Sequence, residues 1–235
     1  MAGEALHFER ADSGEVAWAM GAVPLSAIDS VETWLRVVLA SGQPESLTIQ
    51  IPVAARILDT ERLALRGEFQ VPSGGAVAAR VAAENAAVRA AEASSHHRRR
   101  LWSAPFLRPV PGRVTSRFGV WRMWEGTLEG RHDGVDLAGG IGTPVRAANR
   151  AVVALVGAQY LGGLVVLLDH GGGLLTSYEH LRDVRVTVGD SVSRGQVIGT
   201  VGASGRETGP HLHWGASYGA VAVDPLALLS LHLPL

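Results

Sequence analysis

Four histidines, His132, His180, His211 and His213, lie in short stretches rich in glycine, aspartate and tyrosine. In Pro210-His-Leu-His-Trp214, a strand turns both imidazoles to one face and Leu212 to the other. Arg131-His-Asp-Gly-Val-Asp136 adds a histidine and a carboxylate four residues apart, and Gly134, Gly139 and Gly140 make this segment turn and strand rather than helix. Two neutral imidazoles and one carboxylate are the donor set of a zinc ion that keeps one tetrahedral position open. A lone His-x-His pair is as readily two surface histidines on a strand. The combination is what points to a catalytic metal, and spacing alone does not decide which histidines hold metal and which move protons.

The rest of the composition removes competing chemistries. The 235 residues contain no cysteine, which excludes disulfides, thiolate nucleophiles and cysteine-ligated metal, so any metal must use His, Asp or Glu. All 21 basic residues are arginine, which excludes Schiff-base catalysis, a phosphate-loop lysine and a lysine-borne lipoyl or biotinyl group. A net charge of −1 gives no whole-chain attraction to nucleic acid or anionic membrane. The long uncharged run from Ala151 to Leu168 is interrupted by Gly157, Gln159, Gly162 and Gly163 and is expected to form two strands and a turn, not a membrane helix. Residues 1 to 20 carry Glu4, His7, Glu9, Arg10, Asp12 and Glu15 where a signal peptide would be apolar, so none is expected there.

The elements that must position these groups divide the chain near residue 100, since 22 of the 29 glycines fall in residues 101 to 235. Residues 5–72 contain short apolar or alternating runs, Val16 to Met20, Trp34 to Leu39 and Leu47 to Ile51, between turn signals at Asp12-Ser-Gly, Ser41-Gly-Gln-Pro and Pro52. They predict a small antiparallel β-module, accessory and without clustered catalytic groups. Residues 73–100 predict a connector helix and linker, with Ser73 as cap and 10 alanines between Gly74 and Ser94; His96-His-Arg-Arg-Arg100 reads as a solvated linker. In residues 101–235, runs at Val114 to Phe118, Val135 to Leu137, Val145 to Leu155, Leu164 to Asp169, Leu174 to Tyr178, Val184 to Val188, Val197 to Val201 and Pro210 to Trp214 predict an all-β domain with its functional groups on turns and one sheet face.

These motifs resemble the lysostaphin-type (LytM-like) zinc metallopeptidases. The likeness is carried by His132 with Gly134-Val-Asp-Leu137, Gly142-Thr-Pro-Val-Arg-Ala147, Ser177-Tyr-Glu-His-Leu181, Val188-Gly-Asp-Ser-Val192, Gly195-Gln-Val-Ile-Gly199, Gly202 to His213 and Val223-Asp-Pro225, which follow the family's order over nearly all of residues 110 to 228. The β-module, Glu61-Arg-Leu63 and Leu101 to Phe106 also resemble the accessory region of some bacterial envelope members. The resemblance implies a mainly β, duplicated-hybrid-motif-like peptidase domain. It makes His132, Asp136 and His213 the zinc ligands and His180 and His211 the catalytic histidines, with His211 the favoured base. It implies cleavage of peptide bonds in peptidoglycan stem peptides or cross-bridges, with zinc as cofactor, and work in the periplasm, envelope or extracellular space.

Other residues carry lesser expectations. Tyr178 alternates onto the same strand face as His180 and is expected to line the cleft. Glu179 is then expected to point away from His180. Arg117 and the loop from Trp121 to Gly130 are expected to border the substrate groove, and Asp169-His170 to be structural. A non-catalytic scaffold that activates other wall hydrolases is the main rival, disfavoured by the complete ligand set. A sugar-phosphotransferase component would leave His132 and Asp136 unexplained, and a carrier domain needs the missing lysine.

Overall fold

The computed structural model describes residues 3–10, 16–38, 41–54, 59–63, 75–124 and 127–232. The expected cap Ser73 and the turn at Asp12-Ser-Gly lie outside them. Side chains of residues 124–129, within the loop expected to border the groove, are likewise outside the description.

Glycine turns and β-branched runs produce a mainly β chain, in the order β1 (His7–Arg10), β2 (Ala17–Met20), β3 (Ser30–Val38), β4 (Pro44–Pro52), β5 (Thr60–Leu63), α1 (Gly75–Ser95), β6 (Val114–Ser116), β7 (Trp121–Trp124), β8 (Thr127–Arg131), β9 (Gly134–Ala138), β10 (Pro144–Arg146), β11 (Ala151–Gln159), β12 (Gly163–Gly171), β13 (Leu174–Val184), β14 (Ser191–Val192), β15 (Val197–Val201), β16 (His211–Tyr218) and β17 (Val221–Ala222). A 3-10 helix, Pro225–Ser230, follows, its first turn capped by the Asp224 carboxylate. The main sheet runs β14-β11-β12-β13-β16-β9-β6, with β15 pairing both β10 and β13. The uncharged run is the β11–β12 hairpin, as expected. The Val184 to Val188 run is not a strand beyond Val184; Arg185 donates one backbone bond to Ile198 and the chain then turns.

One face of this sheet is the core. Val166, Leu168, Leu174, Tyr178, Leu212, Trp214 and Ala216 pack there with Trp102, Phe106 and Ile198. Fully burying side chains of this size contributes about 1.5–3 kcal/mol each. The opposite face carries His211 and His213 and is flanked at one end by α1. Being alanine-rich, α1 has only a narrow half-buried apolar stripe (Ala78, Val81, Val88, Ala91) before the buried Ser95, and is tied down by polar contacts instead. Arg80 donates to the Ala158 carbonyl, and Glu84 accepts from both Arg80 and the Tyr160 amide.

The His96 to Arg100 run is docked through His96, Arg98 and Arg100, while His97 and Arg99 are exposed. His96 lies between Glu4 and His7, at 2.9 and 2.8 Å. Arg98 pairs with Asp169, and Arg100 pairs with Glu9 while stacking over Trp18 and Trp102. A charged run reads as a solvated face only while its partners, here acids 71 to 92 residues distant in sequence, are unknown. Ahead of α1, β1–β2 and β3–β4 are antiparallel hairpins, as expected of the β-module. β5 instead pairs in parallel with β7, which pairs with β8.

Candidate active site

The site lies where β9, β13 and β16 run side by side. Register pairs His213 with Asp136, placing both on the face away from the core. His132, just before β9, enters the same spot. His132 Nε2, Asp136 Oδ1 and His213 Nδ1 form a triangle with sides of 3.0, 3.0 and 3.1 Å. A tetrahedral ion with bonds of about 2 Å spaces its ligand atoms by about 3.3 Å, so the triangle fits a zinc-sized ion with little movement. All three residues are buried, and among the described residues this is the one such donor group.

The outer atoms of the triangle residues are also held. His132 Nδ1 lies 3.0 Å from the Arg117 carbonyl, which only a protonated Nδ1 can satisfy, so Nε2 carries the lone pair. Asp136 Oδ2 accepts from Arg122 at 2.6 Å. Burial opposes ionisation of Asp136, but the His132 and His213 imidazoles against its carboxyl outweigh it and hold that carboxyl well below the usual carboxylate range. Burial alone would lower the His213 pKa; Glu179, Asp136 and Asp133 overcome it and raise it to about 9.

Two further imidazoles face the triangle. His180 and His211 have ring centroids 4.8 Å apart. His180 Nδ1 donates to the Ser204 carbonyl at 2.8 Å and His211 Nδ1 to the Gly209 carbonyl at 2.7 Å. Both rings are thereby fixed with Nε2 free, and His211 Nε2 stands 3.6 Å from Asp136 Oδ1. Burial, with His211 and His213 nearby, lowers the His180 pKa to about 3, so this ring is neutral across the physiological range.

The expectations for Tyr178 and Glu179 fail for one reason. β13 carries a bulge: its pairing with β12 shifts between Tyr178 and Leu181, and His180 adopts φ 60, the single positive φ of a described non-glycine residue. The extra residue turns His180 to the groove face, whereas Tyr178 and Glu179 keep regular alternation in register with Trp214 and His213. Tyr178 turns into the core, fully buried, its hydroxyl accepting from the Ala148 amide and bonded to Thr176. It packs and does not line the cleft. Glu179, opposite His213 in register, faces the groove. There it borders a cavity of about 230 Å³ beside α1, together with Glu92, Asp133 and Ser177. Burial raises its carboxyl pKa.

Arg117 is placed by its carbonyl on His132, with its side chain exposed. His170 is buried, between the Arg150 carbonyl and Thr176, a structural position. Sequence reasoning missed Arg122. An arginine among tryptophans in a loop-like stretch gives no sign that it will meet a carboxylate 14 residues on.

Residues 130–225 match Peptidase family M23. The chain is similar to the peptidoglycan DD-endopeptidase ShyA of Vibrio cholerae, 41% identical over 103 residues, which are 43% of this chain and 24% of that protein. It is also similar to the DD-carboxypeptidase/endopeptidase Mpg of Neisseria meningitidis, 36% identical over 124 residues, 49% of this chain and 27% of that one. The chain thus spans about a quarter of the length of these curated relatives. A Pseudomonas aeruginosa crystal structure described as a peptidase M23 superposes with a TM-score of 0.69 at 29% identity, covering 95% of this chain and 83% of that one, so the likeness of fold extends through the N-terminal hairpins. The mainly β fold, the order of motifs and the match over residues 130–225 show that this chain carries a peptidase family M23 domain, similar to the lysostaphin-like (LytM-type) peptidases.

Proposed function

We propose that the protein is a zinc-dependent endopeptidase that hydrolyses peptide bonds in peptidoglycan stem peptides or cross-bridges. The observation that carries this reading is the buried triangle of His132, Asp136 and His213 donor atoms with two oriented imidazoles, His180 and His211, against it. His132 Nε2, Asp136 Oδ1 and His213 Nδ1 would hold the ion. Zinc in such a site supplies Lewis-acid polarisation of the scissile carbonyl and of an attacking water. His211, beside Asp136 and with its Nε2 lone pair exposed, accepts the proton of the nucleophile and passes it to the leaving amine. His180, neutral with its Nδ1–H locked on Ser204, presents Nε2 to the reacting centre and completes the polar wall where charge develops. Arg117, exposed next to His132, contacts substrate at the groove edge in this reading.

Peptidoglycan as substrate is supported by the similarity to the endopeptidases ShyA and Mpg, and such a substrate implies work in the periplasm, cell envelope or outside. No described helix is long and apolar enough to cross a membrane. Residues 5–72, 73–100 and 101–235 are proposed as accessory module, connector and peptidase domain. A scaffold role is not favoured, because a scaffold has no use for a complete donor set.

Metal analysis and digestion test this reading together. Purified chain should carry about one zinc and release new termini, identified by mass spectrometry, from peptidoglycan of a susceptible cross-link type. His213→Ala should lose both metal and cleavage while remaining folded on its own large core. Full zinc in a His132→Ala, Asp136→Ala double variant would sink the assignment.

A further inference from the structure

The parallel pairing of β5 with β7 sets Glu61 opposite Arg122. Trp121 reinforces the pairing by donating its amide to the Asp59 carbonyl at 3.1 Å. This one register row reaches two members of the triangle from behind. Arg122 holds Asp136 Oδ2, as described. Glu61 Oε2 accepts from the Ser116 hydroxyl at 2.7 Å, and Ser116 Oγ lies 3.0 Å from His132 Nδ1.

The proton directions along this chain are determined. His132 Nδ1 is protonated because it meets the Arg117 carbonyl. The serine has a single proton, and an ionised carboxylate can only accept, so Ser116 donates to Glu61 and its lone pair receives a share of the Nδ1–H. The result is a carboxylate–hydroxyl–imidazole chain ending at Nε2, the atom aimed into the triangle. Such partners fix a ligating histidine's tautomer and ring angle and raise its basicity, and their removal typically costs about 10- to 100-fold in metal affinity.

We propose that Glu61 is a positioning residue for the metal centre: through Ser116 it holds His132 in the ligating tautomer and orientation, so the segment ahead of α1 completes a site whose ligands all follow α1. The proposal rests on the reading of His132, Asp136 and His213 as a zinc site. It revises the expectation that the accessory region has no part in the chemistry.

The test uses the full-length chain and zinc alone, with affinity measured by competition against a chromophoric chelator. Glu61→Ala and Ser116→Ala should each weaken zinc binding by about 10- to 100-fold, and the double variant should be no weaker than the worse single one by more than about threefold, since both cut the same chain. Glu61→Gln keeps an acceptor oxygen for the serine and should stay within about threefold of the parent. Arg62→Ala, one residue along the same strand, should bind as the parent does. The proposal is overturned if Glu61→Ala binds zinc as tightly as the parent, if Glu61→Gln loses as much as Glu61→Ala, or if Arg62→Ala loses as much as either. A parent chain that binds no zinc would overturn the site reading itself, whereas tight parent binding with indifferent variants overturns this inference alone.

Discussion

Gly205 packs backbone to backbone against Gly163. A Cβ on Gly205 would sit 2.2 Å from the Gly163 amide nitrogen, and one on Gly163 would sit 2.3 Å from the Ser204 carbonyl carbon. Both residues also have positive φ, 75° and 66°. The contact seats the Ser204 carbonyl, the acceptor that orients His180. Gly205→Ala should therefore cost about 2 kcal/mol or more in stability, from the left-handed backbone and the overlap combined. It should lower turnover while leaving zinc content intact, because none of the three triangle residues contacts this turn. Urea unfolding, metal analysis and a soluble stem-peptide assay on the same preparation check the three parts.

His180 and His211 have their Nδ1 protons committed to backbone carbonyls, so their chemistry resides in Nε2. His180→Ala and His211→Ala should each retain zinc and lose on the order of 10²-fold or more in turnover. Metal content and single-substrate kinetics read this directly. Loss of zinc in His211→Ala would move that residue into the ligand set.

Arg122 is the sole described side chain bonded to Asp136 Oδ2. Arg122→Ala leaves that oxygen without its charged partner, and zinc should be held about 10-fold more weakly. Chelator competition measures the loss; an unchanged affinity would show that the ion pair only braces the β7 strand.

His170 gives the fold a pH dependence of its own. Burial lowers its pKa to about 4, and its neighbours are the Arg150 carbonyl and the Thr176 hydroxyl. The unfolded chain takes up this proton near 6.5, the folded chain only near 4. Its contribution is therefore complete above pH 6.5 and is lost as pH falls from there toward 4. At pH 5 the loss is about 2 kcal/mol, at about 1.4 kcal/mol per pH unit between the two values. Urea unfolding of the zinc-free chain at pH 7.5 and pH 5 should show it, and His170→Gln should reduce the difference by about that amount.

The convergence of His132, His180, His211, His213 and Asp136 was legible because its signal is local. Ligand spacing and strand alternation act over two to four residues, a range within which sequence fixes geometry. The β11–β12 hairpin and the helix from Gly75 to Ser95 were legible for the same reason, one from glycine punctuation and the other from an alanine-rich run. Val184 to Val188 was not, because a β-branched run needs a partner with free backbone groups, and Arg185 finds only one such bond.

What the sequence by itself determined is the chemistry available: no thiol and no amine side chain, but imidazoles and a carboxylate in two motifs that a sheet brings into register. Tertiary structure decided everything that depends on a neighbour distant in the chain. The bulge at His180 arises from pairing between β12 and β13, and it turns His180 to the groove face beside Glu179 while Tyr178 keeps its alternating place in the core. Arg122 behind Asp136 and Glu61 behind Ser116 and His132 arise from a parallel strand pair whose members are about sixty residues apart. Alternation is a property of one strand, whereas bulges and hydrogen-bond chains are properties of pairs of strands, and the pairing is set by how the whole core packs.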